Sequence, residues 1–203
     1  MEVDFYSRVI ELYKKYGIKS VTMDDVSREL GISKKTLYQH VKDKRELIEK
    51  TVEFEYEKMI GHFREIEQMN LNAIAELFEV NKLLKMHLKY HSSSLEYDLK
   101  KYYPDIYKKI HSKQLQEMYQ SVLRNINKGK DEGLYRKELN AEMIAKLYVG
   151  RMVNSQDNEF FSVNEFISQE AFREFFIYHI RGLANKKGIS YLEKNIEKLD
   201  HTE

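Results

Sequence analysis

The sequence predicts an all-α protein, with an N-terminal three-helix helix-turn-helix domain joined to a larger C-terminal helical domain. Three observations predict it. The 203 residues include one proline and eight glycines, so most of the chain lacks the punctuation that strands and tight hairpins require. Apolar residues recur at spacings of three and four along successive segments. Short polar start signals, at Thr22, Ser33 and Asp43, stand directly before three of those segments.

The elements follow in order. Phe5, Val9, Leu12, Tyr13 and Tyr16 form the apolar stripe of a first helix, which Gly17 stops. Thr22-Met23-Asp24-Asp25 has the form of a capping box, and Met23, Val26 and Leu30 give the second helix one buried face. Gly31 and Ile32 turn the chain, and Ser33 caps a third helix that carries Leu37 and Val41 inward. Asp43-Lys44-Arg45-Glu46 opens a fourth, whose apolar positions run from Leu47 to Ile66 over about five turns. A fifth helix is expected over Asn70 to Tyr90, followed by a break at Ser92-Ser93-Ser94 and a short helical segment. Pro104 suits the first turn of the next helix, which carries Ile106 to Asn127, and Gly129 to Gly133 reads as a polar turn. Ala141 to Ser155 and Ser168 to Ala184 are two further amphipathic stretches. The domain boundaries expected from this pattern are residues 1–50, 51–187 and a tail over 188–203.

Composition narrows the classes of function. With 42% hydrophobic and 33% charged residues, the chain has the mixture of a soluble globular protein, and no run approaches the roughly 18 apolar residues of a membrane span. Met1-Glu2-Val3-Asp4 lacks a basic, apolar leader, so a cytoplasmic location is expected. The absence of cysteine excludes disulfides, thiolate metal sites and cysteine nucleophiles. His87 and His91 stand four apart, but two ligands do not make a metal site, and no cofactor is implied. Glu76, Glu79, Glu96 and Asp98 show no paired acid/base pattern, so catalysis has no support. A net charge of +1 conceals one local excess: between Gly31 and Arg45, Lys34, Lys35, Lys42, Lys44 and Arg45 face Asp43 alone.

The informative stretch is Thr22 to Leu47, TMDDVSRELGISKKTLYQHVKDKREL. Its second helix packs through Leu37 and Val41 and leaves Lys34, Lys35, Thr36, Tyr38, Gln39 and His40 available outward. A rod of that kind, with donors and acceptors near its N-terminus, fits the roughly 12 Å major groove of DNA. Thr22, the Gly31-Ile32-Ser33 turn, the Thr36-Leu37-Tyr38-Gln39-His40 run and Lys44-Arg45-Glu46-Leu47 together resemble the DNA-binding domain of the tetracycline-repressor (TetR) family. The resemblance covers about the first quarter of the chain. Val41 stands where that family usually has phenylalanine, and Lys35 where glycine is common.

The resemblance implies a transcriptional regulator, and roles for individual residues. Thr22, Tyr38 and Lys44 correspond to positions that hold the phosphate backbone. Lys34, Lys35, Thr36, Gln39 and His40, with Ser33 at the helix start, are the candidates for groove contacts. Residue chemistry agrees, since lysine reaches guanine O6/N7 or phosphate and glutamine suits adenine N6/N7. Plainer readings stand beside these: Lys34 and Lys35 as a solvated helix face, Tyr38 as core, His40 as padding.

The resemblance further implies a homodimer, joined through the last two long helices, that binds a palindromic operator in double-stranded DNA as a repressor. It also implies a cavity for a small apolar or amphipathic ligand. Candidates for the interface are Leu147, Gly150, Met152, Phe172, Phe175, Phe176 and Leu183, unless these faces only complete the monomer core. Candidates for the cavity are Phe78, Met86, Tyr90, Met118, Tyr119 and Tyr148, which equally suit ordinary core. The alternative is a ligand-independent DNA-binding or nucleoid-associated protein that uses the same head.

Overall fold

Side chains take over from backbone partners where the helices begin, and that sets the element boundaries. The computed structural model describes residues 2–89, 92–153, 165 and 168–199. Ten α-helices lie among them: α1 (Glu2–Tyr16), α2 (Met23–Leu30), α3 (Lys34–His40), α4 (Lys44–Gln68), α5 (Ala73–Lys89), α6 (Ser93–Tyr102), α7 (Pro104–Asp131), α8 (Ala141–Val153), α9 (Gln169–Leu183) and α10 (Lys186–Asn195), with a 3₁₀ turn at Ile196–Leu199. The described residues contain no strand, only an isolated antiparallel bridge between Tyr135 and Ala184. No helix among them is long and apolar enough to cross a membrane.

Two segments differ from the sequence expectation. The fifth helix starts at Ala73 rather than Asn70, because Asn72 accepts bonds from the Ile74 and Ala75 amides and so caps it. The expected turn at Gly129 is instead the last part of α7, which runs on to Asp131. Glycine fits that helical position because the Tyr135 ring lies against its Cα, where an added Cβ would overlap three ring carbons.

The helices fall into two compact units. The first comprises residues 1–62 and 91–113, the second residues 63–90 and 114–203, so α4 and α7 are each divided between them. In the first unit, Val9, Tyr13, Ile18, Val26, Leu37, Leu47, Leu99 and Ile106 share one core. A ladder of ion pairs joins α4 to α7 within this unit: Arg45 with Asp105, Glu49 with Lys109 at 2.7 Å, and Glu53 with Lys113 at 2.6 Å. Every rung spans 60 residues, so the two helix segments run parallel in fixed register. Such exposed pairs set alignment more than stability, each contributing about 0–1 kcal/mol.

In the second unit, Ile74, Phe78, Ile126, Tyr135, Phe176, Ile180, Leu183, Leu192 and Leu199 form the core. Leu192 and Leu199 come from α10 and the 3₁₀ turn, so residues beyond 187 supply buried side chains. A polar network crosses this core: the Tyr135 hydroxyl donates to Asn125 at 3.1 Å. Asn125 in turn donates to the Ala73 carbonyl and to Glu76, which Lys128 neutralises at 2.6 Å.

Candidate nucleic-acid interface

The head is built by local hydrogen bonding that its sequence encodes almost residue by residue. Thr22 caps α2 through a reciprocal box: its hydroxyl accepts from the Asp25 amide at 3.2 Å, and its amide donates to the Asp25 carboxylate at 2.9 Å. These bonds, with the Thr22 hydroxyl donating at 2.6 Å, hold the Asp25 carboxyl below its usual range. Thr22→Ala is expected to cost about 1 kcal/mol of stability, measurable by urea denaturation. Gly31 then takes φ 70°, a left-handed conformation that a side chain would strain, and the Ile32 amide closes back on the Ser27 carbonyl at 3.1 Å. Ser33 caps α3 by accepting from the Thr36 amide at 3.0 Å, and the two hydroxyls meet at 2.8 Å.

This framework fixes which groups of α3 face solvent. Leu37 is fully buried and Val41 nearly so, while Lys35, Tyr38, Gln39 and His40 are exposed. Lys35, Tyr38 and Gln39 stand at spacings of three and four, on one helix face. None of those three side chains has an intramolecular hydrogen bond or ion pair among the described residues. The other candidates are partly committed. Lys34 pairs with Asp24 of α2, and the hydroxyls of Thr22, Ser33 and Thr36 serve the caps. The His40 ring packs on Phe5 with centroids 5.1 Å apart, and Lys44 donates to the Lys19 carbonyl at 3.3 Å. Burial lowers the Lys44 pKa, against the pull of Asp98 and Asp25. Asp24 escaped the sequence reading; its signal was a second acid, beside the box-forming Asp25, in the first turn of α2.

Residues 9–51, which span this geometry, match the model of the bacterial regulatory proteins, tetR family. The head is thus a tetR-family DNA-binding domain. It is similar to an HTH-type transcriptional regulator of Bacillus subtilis (strain 168), at 27% identity over 84% of this chain and 88% of the relative. An HTH-type transcriptional regulator of Staphylococcus aureus (strain USA300) is 26% identical over 48% of this chain and 62% of its own length. Among solved structures, a transcriptional regulator from Cytophaga hutchinsonii superposes with a TM-score of 0.69 at 22% identity, covering 89% of this chain and 97% of that one. A transcriptional regulator from Saccharomonospora viridis in complex with choline gives 0.66 at 15% identity, covering 90% and 96%. The chain is thus a DNA-binding, helix-turn-helix transcriptional regulator with the tetR-family fold.

The residues that tetR-family resemblance suggested for a cavity differ in exposure among the described residues. Phe78 is 8% exposed and packs on Phe176 in the core, centroids 4.8 Å apart. Met86 is exposed, Met118, Tyr119 and Tyr148 are half-buried, and Tyr90 lies outside the described residues. Two clefts of about 560 and 650 Å³ are lined by other residues: Arg136, Asn185 and Ile189 in the second unit, and Arg8, Leu12 and Tyr16 in the first.

The suggested interface residues divide by face. Leu147 is 67% exposed, and an added Cβ at Gly150 would meet nothing within 4 Å. Phe172 and Phe175 are half-buried. Phe176 and Leu183 belong instead to the protomer core, seven residues apart on the inward stripe of α9 with Ile180. The side chain of Met152, like His91, lies outside the described residues. Met143 and Tyr178, which sequence did not single out, are 52% and 78% exposed on α8 and α9.

Between α8 and α9, Tyr148, Phe175 and His179 stack around one another, and the Arg151 guanidinium lies over Phe175. Burial, helped by the Arg151 charge, pushes the His179 pKa down from 6.5 to about 4. The unfolded chain takes up this proton first, so the contribution is complete above pH 6.5 and is lost as pH falls towards 4. A loss of roughly 3 kcal/mol is expected across that window, and His179→Gln should flatten it in urea titrations at successive pH values.

Proposed function

We propose that this chain is a cytoplasmic homodimeric repressor that reads a palindromic operator in double-stranded DNA and is released by a small apolar or amphipathic ligand. The observation that carries the DNA reading is the outward face of α3. Lys35, Tyr38 and Gln39 are exposed and unpaired among the described residues, while neighbouring hydroxyls are spent on caps. Lys35 and Gln39 supply base-edge donors and acceptors, with Lys34, Thr36 and His40 beside them. Tyr38 and Lys44 meet the phosphate backbone, and Thr22 and Ser33 hold the two helices in place.

A second copy is supported by Met143 and Leu147 on α8 and Tyr178 on α9, large apolar side chains left in water. Half-sites of a dimeric reader lie about 34 Å apart along the duplex. Selection from a random duplex library should therefore recover a palindrome, and light scattering at micromolar concentration should give twice the chain mass. Absence of any DNA binding at low salt would sink the reading of the head. A monomer would remove the palindrome.

One observation favours a ligand-independent regulator as the second reading: Phe78, expected to line a cavity, is packed shut against Phe176. Release of operator by a screened small molecule, followed by fluorescence anisotropy, separates the two readings.

A further inference from the structure

Lysines and arginines of the first unit mostly rest on carboxylates. Arg28 pairs with Asp25, Lys34 with Asp24, Arg45 with Asp105, Lys50 with Glu46 and Lys100 with Glu96. Lys19 and Lys101 differ, because their partners are neutral phenols. Lys19 Nζ donates to the Tyr102 hydroxyl at 3.3 Å and lies 4.9 Å from that ring's centroid. Lys101 Nζ donates to the Tyr97 hydroxyl at 2.7 Å and lies 5.5 Å from the Tyr102 centroid. Tyr102 thus stands between two ammonium groups, and all four side chains are exposed.

The nearest acids do not cancel this charge. Asp98 is 8% exposed and accepts the Lys19 backbone amide at 3.0 Å, and Glu96 is held by Lys100 at 2.9 Å. The hydrogen bond to Tyr97 raises the Lys101 pKa, which keeps its proton in place. The patch is continuous with the head, because the Lys19 carbonyl accepts from Lys44, the residue that opens α4. Lys19 also lies three residues before the Thr22 cap.

We propose that Lys19 and Lys101, held outward by Tyr97 and Tyr102, form an accessory contact for the sugar-phosphate backbone of duplex DNA flanking the half-site read by α3. The occupant is argued from charge and continuity: an uncompensated ammonium pair, adjoining the helix-turn-helix, complements a polyanion that already runs past it. The contact carries no sequence information, since it falls on the backbone outside the groove read by α3. It lengthens the footprint and steepens the salt dependence. This inference rests on the reading of α3 as the DNA-facing helix.

The test uses the full chain and two duplexes built on a site recovered by selection. One is trimmed to the site, and the other extends about one helical turn, roughly 10 base pairs, at each end. On the extended duplex, the double variant K19Q/K101Q should lower the slope of log affinity against log salt by about 3.6 for the dimer, since each of the four phosphate contacts contributes about 0.9. Between about 50 and 200 mM salt that is a roughly 150-fold smaller loss of affinity. On the trimmed duplex the variant should match wild type, its base preference should be unchanged, and K19R/K101R should restore the slope. An unaltered slope in K19Q/K101Q on the extended duplex, with a wild-type circular dichroism melt, overturns the proposal. If K35A weakens both duplexes in that case, the reading of α3 survives alone. If wild type binds neither duplex, both fall.

Discussion

Gly129→Ala is expected to destabilise the second unit by about 3 kcal/mol, the upper range for forcing extra volume into a packed core. In an exposed helix the same change would be favourable, because alanine is the better helix former by about 1 kcal/mol. Here the new methyl would stand 2.1–2.7 Å from three ring carbons of Tyr135. That ring has little room to retreat. Its residue is fully buried, its hydroxyl donates to Asn125, and its own amide donates to the Gly129 carbonyl at 2.9 Å. The chain beyond it is held to the C-terminal helices as well: the Arg136 amide donates to the Leu183 carbonyl, and the Asn185 amide to the Leu134 carbonyl. Moving Tyr135 therefore disturbs the join between α7, α9 and α10 together with the Asn125–Glu76–Lys128 network. Denaturant unfolding should show the lower midpoint, and Gly129→Ala combined with Tyr135→Leu should recover part of it. A midpoint raised by the helix-propensity gain would mean that the ring does not occupy that space.

The same pair shows where sequence reasoning stops. A glycine near charged residues has the signature of a turn, and only the ring of Tyr135, six residues on, makes it a helical contact point. Asn72 is a comparable case: its capping oxygen decides where α5 begins, but Asn70 offers the same chemistry two residues earlier. The head was legible because its signals are local and agree with one another. Thr22 and Asp25, Gly31, and Ser33 each fix a boundary within four residues of themselves, and Leu37 follows with the apolar spacing that the caps require. The faces of α9 were not legible, because Phe172, Phe175, Phe176 and Leu183 are alike as residue types. Which of them turns inward depends on α5 and α7, whose packing no local pattern states. Nor does sequence place residues 92–113 with the head. That grouping arises from long-range contacts such as Asp98 to the Lys19 amide and Asp105 to Arg45.

Gln39→Ala and Lys35→Ala should each weaken binding to a selected operator by about 1–3 kcal/mol per half-site, roughly 5- to 150-fold, and relax discrimination at different base pairs. The prediction depends on how these side chains stand before DNA arrives. Both are exposed and unpaired among the described residues, so contact with a base edge costs no internal bond. Lys34 is the instructive contrast, since it must leave Asp24 or carry that carboxylate with it towards the phosphates. Lys34→Ala should therefore cost less than Lys35→Ala. Asp24→Asn, which releases Lys34, should raise affinity for unrelated duplexes and narrow the gap between operator and non-operator DNA. Tyr38→Phe should weaken all sequences about equally, as expected for a phosphate contact. Fluorescence anisotropy with wild-type and single-base-variant operators reads the effects of all five variants. Equal losses on every sequence for Gln39→Ala and Lys35→Ala would reassign both residues to the backbone, and leave the reading of bases to His40 and Thr36.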